Sequence, residues 1–407
     1  TTNEDGNFSI HKPARSHMLV VSFIGFENDT IHVDKGNQQL DIVLREGVEL
    51  SEVNVVTRKL GTMKLRTSVM NEDMISSAEL TRAACCNLGE SFVTNPSVDV
   101  SYSDAATGAK QIKLLGLSGT YVQMMTENIP NFRGAAAPYG LGYVPGPWMQ
   151  SIQVSKGSSS VKNGYESITG QINVEFKKPQ LPEADWVSAN LFASSTNRYE
   201  ANADATVKLS KRWSTSLLAH YENETKSHDS NDDGFVDIPR VEQYNVWNRW
   251  AYMGDHYVFQ AGIKALHETR NSGQIAHGNT PSHDLYEIGI KTNRYEAFTK
   301  NAYIFDKEKN TNLALILQGT LHNQDANYGR KLYDVDQSNF YASLLFETEL
   351  SKQHSLSAGL SFNYDGYDQN YRLTNQAEEG LTKKFVKESV PGAYVQYVRF
   401  KGVDRAG

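Results

Sequence analysis

Two adjacent cysteines, Cys85 and Cys86, are the residues best suited to chemistry, and the chain of 407 residues has no other cysteine. A single pair of neighbours is no disulfide framework and cannot close an ordinary loop. The nearby methionines are Met63, Met70, Met74, Met124 and Met125. Soft sulfur ligands suit Cu(I), so the cysteines with the Met124–Met125 pair predict a copper site. A strained vicinal disulfide, or small buried residues with core-filling methionines, are the alternatives.

An acidic segment offers oxygen ligands instead of sulfur. It runs from His228 to Asp237 and has the sequence H-D-S-N-D-D-G-F-V-D. The residues at calcium-like spacing are Asp229, Asn231, Asp233 and Asp237. Gly234 stands at the sharp turn, but the twelfth position is Arg240 where an EF-hand has a bidentate Glu. The segment predicts either a structural Ca²⁺ site or an acidic solvated loop.

Catalytic motifs are absent from the sequence. There is no G-x-S-x-G, H-E-x-x-H or Walker loop. We therefore expect no enzyme and no required cofactor. The net charge of −7 argues against nucleic acid as a partner.

The second half of the chain alternates apolar and polar residues one by one. The clearest apolar set is Tyr199, Ala201, Ala203, Ala205, Val207 and Leu209. Successive strand residues point to opposite faces, so each such strand has one apolar and one polar side. The sequence contains no run of about 18 apolar residues, so it predicts no transmembrane helix. Alternating strands with abundant Tyr (21 residues) are typical of an outer-membrane barrel.

About ten such strands are predicted after residue 183. Their approximate bounds are 184–195, 199–210, 213–226, 242–254, 256–268, 294–305, 312–328, 339–351, 354–371 and 390–400. Short connections alternate with the long ones at 227–241, 269–293 and 372–389. Short periplasmic turns and long extracellular loops have this asymmetry, so the acidic segment is predicted to be extracellular.

The predicted fold is mainly β, with four parts. Residues 1–46 predict a small β-sandwich, 47–58 a linker, 59–178 an α+β domain, and 179–407 part of an antiparallel transmembrane barrel. A helix is expected to start at Ser76, and the Gly-rich stretch 134–146 is expected to be an ordered loop with exposed aromatic residues. The first residues contain no Met or secretory signal and the last follow a strand, so we expect truncation at both ends.

Five segments, in order, resemble the plug domain of TonB-dependent receptors. They are Leu88 followed by N-P-S-V at 95–98, I-K-L-L-G at 112–116, E-N-I-P at 127–130, S-I-Q-V-S-K-G-S-S-S-V-K-N-G at 151–164, and G-Q-I-N-V at 170–174. Two departures stand out, since Leu115-Gly116 replaces the family's Arg-Gly and Glu127-Asn128 replaces Asp-Gly. The barrel of this receptor family closes with about 22 strands, so about ten of them would be present in this chain.

The N-terminal residues carry a second resemblance. D-G-N-F-S-I at 5–10 and V-V-S-F-I-G-F at 20–26 resemble the carboxypeptidase-regulatory-like domain of Bacteroidetes-type receptors. In the linker, Glu52, Val53, Asn54, Val55 and Val56 resemble a TonB box, which TonB captures by β-augmentation.

The resemblance implies TonB-dependent transport across the outer membrane, with the plug and N-terminal domain on the periplasmic side. The implied cargo is a metal chelate such as a ferric siderophore, or copper. The implied partners are TonB with ExbB and ExbD, outer-membrane lipid and the small ligand. Ligand-facing residues are expected in the apical plug loops: Tyr102, Ser103, Asp104, Asn131, Phe132, Arg133, Tyr139 and Tyr143. A β-rich adhesion protein, or a signalling receptor without transport, is the alternative.

Overall fold

The N-terminal part is described only in pieces. The computed structural model describes residues 18–21, 29–32, 42, 63–64, 72–82, 86–92, 95, 98–117, 119–157, 162, 164–179, 186–275, 285–351, 353–374 and 382–399. Two short strands, β1 (Met18–Val21) and β2 (Asp29–His32), pair antiparallel within the predicted sandwich. The TonB-box-like segment Glu52 to Val56 and the first cysteine, Cys85, lie outside the described residues.

The plug is built around a six-stranded sheet with the order β3-β4-β9-β10-β7-β8. The strands are β3 (Met63–Lys64), β4 (Glu72–Ser76), β7 (Val122–Thr126), β8 (Ile129–Pro130), β9 (Met149–Lys156) and β10 (Gly170–Phe176). A separate hairpin joins β5 (Val98–Asp104) to β6 (Ala109–Leu114). Only β10 and β7 pair in parallel among these described strands.

Helical segments of the plug are short. α1 spans Ser77–Arg82, directly after the predicted start, and 3₁₀ turns occupy Leu88–Glu90, Gly119–Tyr121, Gly134–Ala136, Gly140–Tyr143 and Gly146–Trp148. The Gly-rich stretch is therefore ordered, as expected. The expectation of exposed aromatics there is wrong, because Tyr139, Tyr143 and Trp148 are all buried. Their rings gain more by packing against neighbouring strands than by facing water.

Ten long strands follow, each hydrogen-bonded antiparallel to the next, as predicted. They are β11 (Trp186–Ala193), β12 (Arg198–Lys208), β13 (Trp213–Glu224), β14 (Arg240–Met253), β15 (Tyr257–Gly273), β16 (Glu287–Asp306), β17 (Thr311–Tyr328), β18 (Lys331–Ser351), β19 (His354–Leu373) and β20 (Thr382–Arg399). We call this sheet the wall. Short connections such as 209–212 and 254–256 mark its turn end, and the connections 225–239 and 274–286 mark its loop end.

The outer face of the wall carries two levels of aromatic rings. Near the turn end Trp213 stacks beside Tyr252, with ring centroids 5.1 Å apart, and towards the loop end Tyr221 lies 4.9 Å from Tyr244. The two tyrosines of β14 are eight positions apart, roughly 27 Å of strand length. This spacing fits the apolar band of a barrel between its aromatic girdles. Within the described residues, no helix has the length and apolar character needed to cross a bilayer.

The inner face of the wall is polar and covers the plug. Its strands place buried charged residues such as Arg249, Lys264, Glu268 and Arg294 towards the plug. Apolar residues of both parts, including Phe176, Trp148 and Trp247, join one buried cluster. The wall therefore positions the plug through a mixed polar and apolar contact surface. We call this contact surface between plug and wall the seam.

Candidate functional site

The seam is strongest at the turn between β7 and β8. Glu127 and Asn128 both have a positive φ, 51° and 62°, and the amide of Asn128 donates to Asn173 Oδ1 at 2.8 Å. The Glu127 carboxylate is buried, 2.6 Å from Arg249 Nη2 and 3.6 Å from Lys300 Nζ. Burial alone would raise the pKa of this carboxyl, but Arg249, Lys300 and Lys178 together lower it to about 2. Glu127 is therefore an anion that fixes the turn to the wall.

Asn131 continues the same attachment. Its Oδ1 accepts from Arg294 Nη2 at 2.5 Å, and its Nδ2 donates to Glu296 Oε2 at 2.9 Å. The next residue, Phe132, is buried with the Lys264 ammonium 5.9 Å and the Arg294 guanidinium 5.6 Å from its ring centroid. Both side chains contact the wall in this structure, and their predicted ligand role is not tested.

Arg133 connects the plug to the wall through two carboxylates. Its Nη1 lies 2.6 Å from Asp365 Oδ2 of β19, and its Nε donates to Glu166 Oε2 of the plug at 2.7 Å. Burial opposes the charge, but the hydrogen bond and charge of Glu166, with Asp365, raise the pKa of the guanidinium further. Its side chain is 15% exposed, so one edge still reaches the open lumen.

The loop 139–143 is held by its backbone. Gln243 Nε2 donates to the Gly142 carbonyl at 3.2 Å, and Asn245 Nδ2 donates to the Tyr143 carbonyl at 3.0 Å. The Tyr143 ring is fully buried, and burial raises the pKa of its phenol. Tyr139 is buried as well, so these two tyrosines line the seam rather than the lumen surface.

The hairpin β5–β6 presents the most exposed part of the predicted ligand region. Tyr102 is 57% exposed, and Ser103 and Asp104 are also exposed. Lys110 lies with its ammonium 5.4 Å from the Tyr102 ring centroid, and burial lowers the pKa of this lysine. We call residues 102–104 the ligand edge. Of the eight predicted ligand residues, these three and Arg133 are accessible, and no ligand role is tested for any of them.

The second cysteine lies against the wall. Cys86 is buried, and its thiol pKa is raised by burial and by the neighbouring Glu200. Arg198 of β12 connects this part of the plug to the wall. Its Nη1 lies 3.0 Å from Glu90 Oε1 of the plug, and its Nη2 lies 2.7 Å from Glu200 Oε1 of the wall. Met125 is fully buried in the sheet and Met124 is half-buried.

The acidic segment uses its oxygens within the loop. Asp229 accepts from the amides of Asp233 and Gly234 at 3.1 and 2.9 Å, and Asp237 accepts from the Ser230 amide at 2.7 Å. Asn231 Nδ2 donates to Asp233 Oδ2 at 3.0 Å. No group of three or more His, Cys, Asp or Glu in the described part of the chain could hold a metal ion. The geometry thus supports a hydrogen-bonded turn and gives no support to calcium.

Sequence reasoning missed the wall residues of the seam. Four charged residues of the inner face are buried by the plug: Arg249, Arg270, Arg294 and Asp365. A charged residue on the inner face of a barrel strand is ordinary next to water. The signal available in the sequence was their position in the alternation, which does not reveal that a plug covers them.

Family comparisons agree with this geometry. Residues 64–171 match the model of the TonB-dependent receptor plug domain, and residues 1–56 match the CarboxypepD_reg-like domain. Residues 64–171 are therefore similar to the plug domain of TonB-dependent receptors. The curated proteins searched include no match to the chain.

Solved structures show the same fold for plug and wall together. The alcaligin outer-membrane receptor FauA of Bordetella pertussis has a TM-score of 0.65 at 13% identity, covering 83% of this chain and 54% of its own. P. aeruginosa FpvA bound to a heterologous pyoverdine has 0.67 at 13%, covering 84% and 51%. The copper transporter OprC has 0.65 at 12%, covering 84% and 54%.

FauA is an outer-membrane receptor, and this plug and wall share its fold. The chain spans about half the length of the solved structures that it matches. The ten-stranded wall accordingly forms part of a barrel.

Proposed function

We propose that the chain works in TonB-dependent uptake of a metal chelate across the outer membrane. The cargo would be a ferric siderophore or a copper species. The observation that carries this proposal is the plug domain seated against a transmembrane wall by buried ion pairs, with an exposed ligand edge above it. No feature favours adhesion or signalling without transport, and we assign the protein no catalytic activity.

The partners follow from the same reading. TonB, energised through ExbB and ExbD, would bind the segment Glu52 to Val56 by β-augmentation and pull on the linker. The ligand would bind at Tyr102, Ser103, Asp104 and the exposed edge of Arg133. Lipid would surround the outer face between its two aromatic levels. The domain bounds 1–46, 47–58, 59–178 and 179–407 belong to this proposal.

Element-resolved mass spectrometry of cells with and without the gene tests the function. We expect iron or copper to accumulate only with the intact gene, only while the proton-motive force is present, and only with residues 52–56 intact. Deletion of residues 52–56 should abolish uptake and leave the amount of receptor in the membrane unchanged. Equal metal content in all strains would reject the proposal.

The identity of the metal decides the role of the cysteines. Copper uptake that is lost in Cys85→Ser/Cys86→Ser would place the pair on the transport path. Iron uptake that is unchanged by the double substitution would leave Cys86 as a packing residue. A calcium requirement is tested by uptake in chelator-treated cells with and without Asp229→Asn/Asp237→Asn.

A further inference from the structure

One buried guanidinium of the wall touches two apical segments of the plug. Arg270 lies near the loop end of β15 and its side chain is 9% exposed. Its Nη1 donates to the Thr107 carbonyl at the tip of the β5–β6 hairpin, at 3.2 Å. Its guanidinium carbon lies 4.9 Å from the ring centroid of Tyr139 in the other apical loop.

The remaining donors of Arg270 are tied to the wall. Its Nη2 donates to Glu268 Oε1 at 3.0 Å, and Glu268 Oε2 accepts from Gln243 Nε2 at 2.8 Å. The same Gln243 nitrogen reaches the Gly142 carbonyl at 3.2 Å. Arg270, Glu268 and Gln243 therefore form one continuous bridge that ends on the plug at two separate backbone carbonyls.

The hairpin tip packs closely against this bridge and against the connection 225–239. A Cβ added to Gly108 would lie 3.0 Å from Arg270 Nη1 and 3.2 Å from Pro239 Cγ of the connection 225–239. Within the tip, Asp104 Oδ2 accepts from Thr107 Oγ1 at 2.7 Å, and Asp104 Oδ1 accepts from the Ala106 amide at 3.1 Å. The position of Thr107 thus sets the position of Asp104, which belongs to the ligand edge.

We propose that Arg270 is a positioning residue for the ligand edge 102–104, which it fixes through the Thr107 carbonyl. This inference rests on the proposed function for its consequence in uptake. A preorganised edge binds without the cost of ordering itself, and losing one charged hydrogen bond should weaken binding about tenfold. Arg270 itself is covered by the plug and acts on the edge through Thr107.

A spin label at Ala106→Cys in the full chain, in outer-membrane preparations and with Cys85→Ser/Cys86→Ser as background, reports the tip directly. We expect an immobile spectrum with Arg270, a fast-moving component in Arg270→Gln, and an intermediate spectrum in Arg270→Lys. Arg212 is a matched control, because it pairs with Asp255 at 2.9 Å on the exposed turn end. Arg212→Gln should leave the spectrum unchanged.

The swapped variant Glu268→Arg/Arg270→Glu separates positioning from a plain ion pair. It keeps the pair, but a glutamate at position 270 cannot donate to the Thr107 carbonyl, so the label should stay mobile. Recovery of the immobile spectrum in the swap, or an immobile label in Arg270→Gln, would overturn the inference. The spectrum needs no cargo, so it can fail while metal uptake persists, and uptake can be absent while the tip stays fixed.

Discussion

The turn at Glu127 and the strand β4 belong to one sheet but are held in different ways. The turn is attached to the wall by ion pairs and hydrogen bonds to Arg249, Lys300 and Arg294, of which Arg249 and Arg294 are buried and Lys300 is 20% exposed. β4 pairs with β9 through its backbone, and its Asp73 lies 2.8 Å from Lys156 of the same domain. The contacts described for β4 are therefore mostly internal to the plug.

This difference separates two kinds of stability. Separating the turn from the wall leaves several buried charges without their partners, which costs free energy. Opening β4 costs the burial of its apolar face and five residues of pairing, and leaves the seam at Glu127 intact. β4 is also the first strand of the described sheet after the linker region, apart from the two-residue β3. Four changes test whether the two regions respond separately.

Glu127→Ala should have the largest effect. It leaves Arg249 and Lys300 buried without their carboxylate, and we expect a loss of about 3–5 kcal/mol in the free energy of plug unfolding. Urea titration followed by tryptophan emission measures this, because Trp148 and Trp247 lie 6.3 Å apart across the seam. Arg212→Ala, at an exposed pair, should cost less than about 1 kcal/mol. Equal losses would remove the distinction between buried and exposed charges.

Ile75→Ala probes the other region. Ile75 of β4 is fully buried, so the truncation should cost about 2–5 kcal/mol through lost burial and a cavity. Hydrogen exchange should accelerate in β4 and β9 before it does so at residues 126–131. Ile75→Val should cost only about 0.5–1.5 kcal/mol with the same regional pattern. Simultaneous acceleration at the turn would show that the two regions open together.

Acidification should loosen the turn at Glu127. The pKa of Glu127 falls from its ordinary 4.5 to about 2 in the folded plug, so its stabilisation is complete above pH 4.5. It is lost as the pH falls towards 2, because the unfolded chain then binds the proton more readily. The tryptophan-monitored urea midpoint should drop between pH 5 and pH 3. In Glu127→Gln this part of the dependence should vanish, and its persistence would assign it to other carboxylates.

Asp73→Asn should have the smallest effect. The substitution removes a charge from a pair whose lysine is 24% exposed, and we expect about 1 kcal/mol. Exchange of the β4 amides should rise a few-fold, with no change at the Glu127 turn. A fall in the tryptophan-monitored midpoint as large as that of Glu127→Ala would mean that β4 also supports the seam.

The sequence predicted the ten strands but shortened several of them. β16 begins at Glu287 where the alternation predicted 294, and β18 begins at Lys331 where it predicted 339. Alternation arises where a barrel strand has one apolar and one polar face, and it fades beyond the outer aromatic level where both faces are polar. The backbone pairing continues there, since each strand only needs its neighbour.

The site was predictable in position and not in detail. The ordered motifs located the plug, and Glu127-Asn128 stood out as a departure from Asp-Gly. Its contacts emerged only in three dimensions, because the Glu127 carboxylate pairs with Arg249 and Lys300, which lie on distant strands of the wall. Tyr139 and Tyr143 were expected to be exposed and are buried. The sequence around them does not show which distant strands cover them.

The sequence by itself determined the alternating strands, the order of the plug motifs and the absence of a long apolar helix, because these depend on local periodicity and composition. Only the tertiary structure decided which inner-face residues meet the plug, which apical residues stay open, and which of them Arg270 holds. Those outcomes depend on burial and on charges brought together from distant strands, and no local pattern in the chain records them.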